Sequence, residues 1–200
     1  YGTLDDLKAL VKAAHARGIR VLVDLPANHL FETAPEFTNG PQDWFNLDGI
    51  CREQGWEPVE TCWFESYLPD LNYRNDAVVD YMVEVALWWA KEADLDGYRV
   101  DAVKHIHQHF LYSLREQLDT QIEATSDLPF YTVGETFTGS WQPGGGSEAE
   151  LVGKYVSDDQ LYGQFDFPMY WPIRGAFATE DTALSWLGEV ALGTHSYYGA

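Results

Sequence analysis

The chain has 200 residues, a formal net charge of −20 at pH 7, and hydrophobic and charged fractions of 46% and 22%. That balance is globular rather than disordered or fibrous, and the length allows one sizeable core. So much acid excludes nucleic acid as a partner, because nothing could neutralise a row of phosphates, and it suits a neutral substrate better than an anionic one.

Residues 3–17, TLDDLKALVKAAHAR, predict an amphipathic helix with Leu4, Leu7, Leu10, Val11 and Ala14 on one face. Thr3 can cap it, Asp5 and Asp6 suit its first turn, and Gly18 falls just past its end. IRVLVDL, 19–25, reads as a strand buried on both faces. Residues 31–75 break the rhythm with Pro, Gly, Asn, Trp and acid. A structureless loop of that length is improbable, so they read as a small insertion.

Helix follows over 76–93, with Val79, Met82, Val83, Ala86 and Trp89 at helical spacing, then a strand over 97–103. A helix over 107–124 runs through Phe110, Leu111, Leu114, Leu118 and Ile122. A strand covers 130–135 and a long loop 138–150. A strand starts within 164–171 and a helix covers 180–192. Strands alternating with helices are the mark of βα units and a parallel sheet. No GxGxxG or GxxxxGK[ST] follows a strand, which weakens a nucleotide-binding reading.

Cys51 and Cys62 lie in one loop-like stretch without CxxC spacing or a nearby His, so zinc is not indicated. A disulfide closing a short loop would fit a secreted or periplasmic protein. Two buried thiols would fit a cytosolic one. No apolar run reaches transmembrane length, so no membrane partner is expected. No signal peptide is visible, and the opening straight into a helix pattern reads as a start within a longer protein.

Three strands end in polar groups: Asp24, Asn28 and His29 in DLPANHL; Arg99, Asp101, Lys104 and His105 in DGYRVDAVKH; Glu135 in GETF. In a (β/α) barrel the C-terminal strand ends form the reactive face. Arg99 and Asp101 are two apart on one strand and point the same way, so the guanidinium would favour the ionised carboxylate. Glu135 follows Val133 and Gly134, and apolar surroundings raise a carboxyl pKa. Two differently tuned carboxylates are what glycoside hydrolysis needs. The 15% aromatic content, mostly core filling, would also supply flat rings for a sugar.

With these motifs the chain resembles the catalytic domain of the alpha-amylase family, glycoside hydrolase family 13. DLPANHL, DGYRVDAVKH and GETF resemble its first three conserved regions, LPDLN (68–72) resembles the motif closing its domain B, and VETCW (59–63) is similar to a disulfide-bearing stretch of secreted fungal-type members. The resemblance implies an α/β fold: a fragment of a (β/α)8 TIM barrel, about strands 3 to 6. Residues 1–30 would be barrel helix and strand, 31–72 a domain-B-like insertion, and 73–200 the barrel's continuation.

It also implies roles. Asp101 would be the nucleophile and Glu135 the general acid and base. Arg99 would orient Asp101, His29 would bind the sugar at the cleavage point, Lys104 and His105 would line the acceptor side, and Asp24 would hold its strand end. Asn28, Glu60, Asp70 and the His105 carbonyl would ligate a structural Ca2+, and Cys51 would pair with Cys62. The implied protein is a secreted enzyme, monomeric at full length, retaining in stereochemistry and acting on starch-like α-1,4-glucans. Alternatives are an α-1,6-glucosidase, a cyclodextrin-acting enzyme, a glucanotransferase or a non-catalytic glycan-binding relative. The family's Asn-His-Asp region is missing, so residues 1–200 alone are expected to lack appreciable activity and to expose sheet edges.

Overall fold

The computed structural model describes residues 2–53, 59–139 and 146–194. The expected loop segment 140–145 and the last residues, 195–200, lie outside them. The first helix, α1, spans Leu4–His15 and opens on a capping box in which Thr3 and Asp6 satisfy each other's backbone N–H groups. Val11 is its fully buried residue, whereas Leu10 is 60% exposed and faces away from the core.

Four strands form one parallel sheet in the order β1 (Leu22–Leu25), β2 (Gly97–Val100), β3 (Tyr131–Gly134) and β4 (Gly163–Gln164). Sequential parallel strands with helices between them make up part of a (β/α)8 barrel. The register places Asp24 beside Arg99 and Arg99 beside Val133. The first strand is shorter than 19–25 and is not buried on both faces: Ile19 and Leu22 are exposed, and among the described residues β1 pairs with β2 alone. The second strand stops at Val100 instead of 103, because Ala102 turns the chain into the left-handed region at φ 52°.

Between β1 and the long helix, the described residues of the expected insertion, 31–53 and 59–72, include α2 (Pro35–Asn39) and a short 3-10 turn, Gln42–Trp44. Its return path is stitched to the end of β1. Leu71 N–H donates to the Asn28 carbonyl at 3.0 Å, Leu30 N–H to Pro69 at 3.1 Å, and Asn46 N–H to Asp70 at 3.0 Å. The Tyr73 hydroxyl donates to the buried Ala27 carbonyl.

Helix α3 spans Asp76–Ala93, capped by Asn75, and buries Val78, Val79, Met82, Val83, Ala86, Leu87, Ala90 and Ala93. It packs against α4 (Gln108–Gln121), whose apolar stripe is Phe110, Leu111, Leu114 and Leu118. Full burial of each such side chain contributes about 1.5–3 kcal/mol. The expected continuation of α4 to 124 is instead a 3-10 turn, Glu123–Thr125, held because Arg115 grips Glu123.

The loop expected over 138–150 gives way to helix α5 at Gly146–Gly153. The strand expected within 164–171 ends after Gln164. Asp166 then caps helix α6, Phe167–Arg174, with Pro168 in its first turn, where proline's missing N–H costs nothing. A π-turn at Gly175–Thr179 precedes α7, Leu184–Thr194, which starts later than the 180 expected. Among the described residues, no helix is long and apolar enough to cross a membrane.

Candidate active site

The backbone ladder continues one step past the strands and aligns their polar ends. Asp101 N–H donates to the Leu25 carbonyl at 3.1 Å, Glu135 N–H to Val100 at 2.8 Å, and Val103 N–H to Glu135 at 2.9 Å. The left-handed Ala102 makes the last of these contacts possible, at a strain cost of about 1–2 kcal/mol. Gly134 is required here. A Cβ on it would stand 2.5 Å from Gln164 Nε2, 2.7 Å from Leu161 Cδ1 and 2.8 Å from Val103 Cγ2, so these side chains would have to shift.

Arg99 is the hub of the cluster. Its Nη1 lies 2.5 Å from Asp24 Oδ1 and 2.8 Å from Asp101 Oδ1, while its Nη2 contacts Glu135 Oε2. One guanidinium fork therefore binds carboxylates from the ends of three adjacent strands. Asp24, expected to hold its strand end, pairs with Arg99. Burial pushes the Glu135 carboxyl above the usual glutamate range. The Arg99 charge pulls it back, and Asp101, through a hydrogen bond and its charge, pushes it up again.

A cavity of about 440 Å³ opens above this cluster, lined by Asp101, Glu135, Lys104, His105, Phe64 and Phe137. A larger one, about 770 Å³, lies at the opposite, N-terminal ends of β1 and β3 and contains none of these carboxylates. His29 is half-buried beside the smaller cavity. Its ring meets Phe64 edge-on at 5.7 Å, and burial lowers its pKa while the Asp101 charge opposes the drop.

Lys104 Nζ donates to the Phe137 carbonyl at 2.8 Å, and burial lowers its pKa against the pull of Glu148. The His105 ring is buried and pushed down to about 4, chiefly by burial and then by Lys104, so it is neutral at pH 7. A neutral ring whose Nδ1 stands 2.9 Å from the Val59 carbonyl donates its proton there.

Asn28 and Asp70 come together, both fully buried, beside the insertion's return path. The side-chain amides of Asn46 and Asn28 reach the Asp70 carboxylate, whose Oδ1 is buried without a partner. Burial pushes Asp70 up to about 8. A buried carboxylate oxygen lacking a donor, next to an amide, fits a hard oxygen-seeking cation. Glu60 lies toward Tyr155, whose phenol is pushed up by burial and then by the Glu60 charge. Among the described residues, the one group of three His, Cys or acidic side chains close enough to share an ion is Cys51, Cys62 and His105. Its two sulfurs are joined in a disulfide, which leaves no thiolate to ligate a metal.

Phe64 and Phe137 were missed as lining residues. Phe137 closes GETF and Phe64 directly follows VETCW, but an apolar ring carries no signal that separates cleft wall from core.

Residues 1–179 match the family model for the alpha amylase catalytic domain. The chain is 33% identical over 147 residues to a cyclomaltodextrinase from Bacillus sp, covering 68% of this chain and 25% of that protein. It is 28% identical over 193 residues to an intracellular maltogenic amylase from Bacillus subtilis, covering 92% of this chain and 30% of that one. Among solved structures it superposes on the acarbose-complexed alpha-amylase from Geobacillus thermoleovorans with a TM-score of 0.81 and 29% identity, covering all of this chain and 42% of that one. The chain thus spans less than half the length of each of these three.

Proposed function

From the premise that this chain belongs to the alpha-amylase family, a family of glycoside hydrolases, we propose that it carries the two working carboxylates of an enzyme that cleaves α-1,4-glucans by double displacement. The observation that supports this most is the Arg99 fork, which gathers Asp101 and Glu135 at the mouth of one aromatic-walled cavity.

In this reading Asp101, oriented by its contact with Arg99, attacks the anomeric carbon and forms a glycosyl ester. Glu135, which burial keeps prone to hold its proton, donates it to the departing glycosidic oxygen. Glu135 then takes a proton from water, whose oxygen attacks the anomeric carbon of the ester and releases Asp101 as the leaving carboxylate. His29 binds the sugar at the cleavage point, and Lys104 and His105 face the departing chain. Asn28, Asp70, Glu60 and the His105 carbonyl would hold Ca2+, which when bound would pin the insertion against the barrel. A buried disulfide suits an oxidising compartment, so the protein is proposed to be secreted.

Cyclomaltodextrinase and maltogenic amylase names among the relatives favour a second reading, in which the substrate is a ring or short oligosaccharide. Comparing rates of the full-length protein on starch and on a cyclomaltodextrin separates the two. Faster turnover of starch supports the first, and faster turnover of the ring supports the second. In either case Asp101→Asn should abolish turnover while retaining oligosaccharide binding.

A further inference from the structure

The disulfide sits in an unexpected place. Its two sulfurs and a ring nitrogen of His105 lie within 4.8 Å of one another, and Cys51, Cys62 and His105 are all buried. His105 belongs to the turn after β2 and lines the catalytic cavity. Two contacts on its other side come from within and just beyond the loop that the disulfide closes. The Val59 carbonyl accepts from Nδ1 at 2.9 Å, and the Phe64 ring packs on the imidazole at 4.2 Å between centroids.

That segment is fixed by the chain around Cys51 as well. Cys51 N–H donates to Trp63 at 2.7 Å, Trp63 N–H donates to Gly49 at 2.8 Å, and the Thr61 hydroxyl donates to Asp48 at 2.5 Å. Val59 and Phe64 flank Cys62 along the chain, so the covalent link to Cys51 limits how far these two contacts can move away from the ring.

We infer that the Cys51–Cys62 disulfide, with the loop 59–64 that it secures, is the positioning device for the His105 ring at the substrate cleft. The disulfide would act on substrate binding through His105, in addition to any effect on stability. This rests on the glucan-hydrolase reading, deepening it to the residues that shape the binding rim.

The test is a double-mutant cycle in the full-length protein, with a short maltooligosaccharide as substrate. Cys51→Ala/Cys62→Ala should raise KM about tenfold with a much smaller change in kcat. A purely structural loss would lower the active fraction, and so kcat, and leave KM alone. In the His105→Ala background the cysteine changes should add nothing further to KM. An unchanged KM, or effects that multiply in the combined variant, overturns the inference. If the cysteine variant does not fold, Thr61→Val loosens the same loop with the disulfide intact and enters the same cycle with the same criteria. If the unaltered protein cleaves no α-glucan, the functional reading itself fails, which is a distinct result.

Discussion

Arg99 Nη1 stands 2.8 Å from Asp101 Oδ1, two residues further along the same chain. Strand alternation puts both side chains on one side, and the left-handed turn at Ala102 keeps Asp101 there after β2 has ended. The same guanidinium reaches Asp24 and Glu135. A lysine would keep the charge but could not fork toward three carboxylates. Arg99→Lys should therefore fold and bind oligosaccharide, yet lose about 10²-fold in kcat through misplacement of Asp101. Steady-state kinetics on the full-length protein check this, and a near-normal kcat would contradict it.

Glu135 should set the alkaline limb of the pH profile. Burial raises its pKa, so the proton it donates is retained above the usual carboxylate range, and activity falls only as pH rises through that raised value. Glu135→Gln should cost about 10²–10⁴-fold on an unactivated glucan. On a glycosyl fluoride, whose leaving group needs no proton, formation of the glycosyl ester should survive and its alkaline limb should disappear. A retained limb would assign it to another group.

Gly134→Ala tests the close approach behind the acid. The added methyl meets Val103, a β-branched side chain that cannot swing away, and Leu161. Destabilisation of about 1–3 kcal/mol is expected, with a loss of kcat as the Val103–Glu135 hydrogen bond is displaced. Thermal unfolding and kinetics read the two effects separately, and an unchanged melting temperature would show that the neighbours yield freely.

Calcium should stabilise through Asp70. With Ca2+ at about 100 times its dissociation constant the gain is about 2.7 kcal/mol, so a chelator should lower the melting temperature of the full-length protein by several degrees. Asp70→Asn should remove most of that response, because the buried, unpartnered oxygen at its centre loses its charge. An identical chelator shift in wild type and variant would contradict the assignment of Asp70.

Helix α3 was legible to its end residues, because its apolar stripe is sustained over the whole span. The catalytic candidates were legible because a parallel sheet forces polar strand ends onto one face. Elsewhere tertiary contacts decided. Leu10 fits the apolar stripe of α1 but faces outward, a matter of how the helix sits on its neighbours. QFDFPMYW contains strand-forming rings, yet Asp166 and Pro168 start a helix within it. The contact of Arg99 with Glu135 links adjacent strands whose register no single segment encodes. The stacking of Phe64 on His105 joins positions about forty apart along the chain, and only the folded insertion brings them together.

The central claim is that Asp101 is the nucleophile, and covalent trapping tests it most directly. Full-length Glu135→Gln incubated with an α-glucosyl fluoride should release fluoride and form an ester that is hydrolysed slowly for want of a base. Mass spectrometry of the peptides should then find one glucosyl unit on the peptide containing Asp101, and none after Asp101→Asn. A glucosyl unit on any other residue, or fluoride release with inversion at the anomeric carbon and no adduct, would contradict the account.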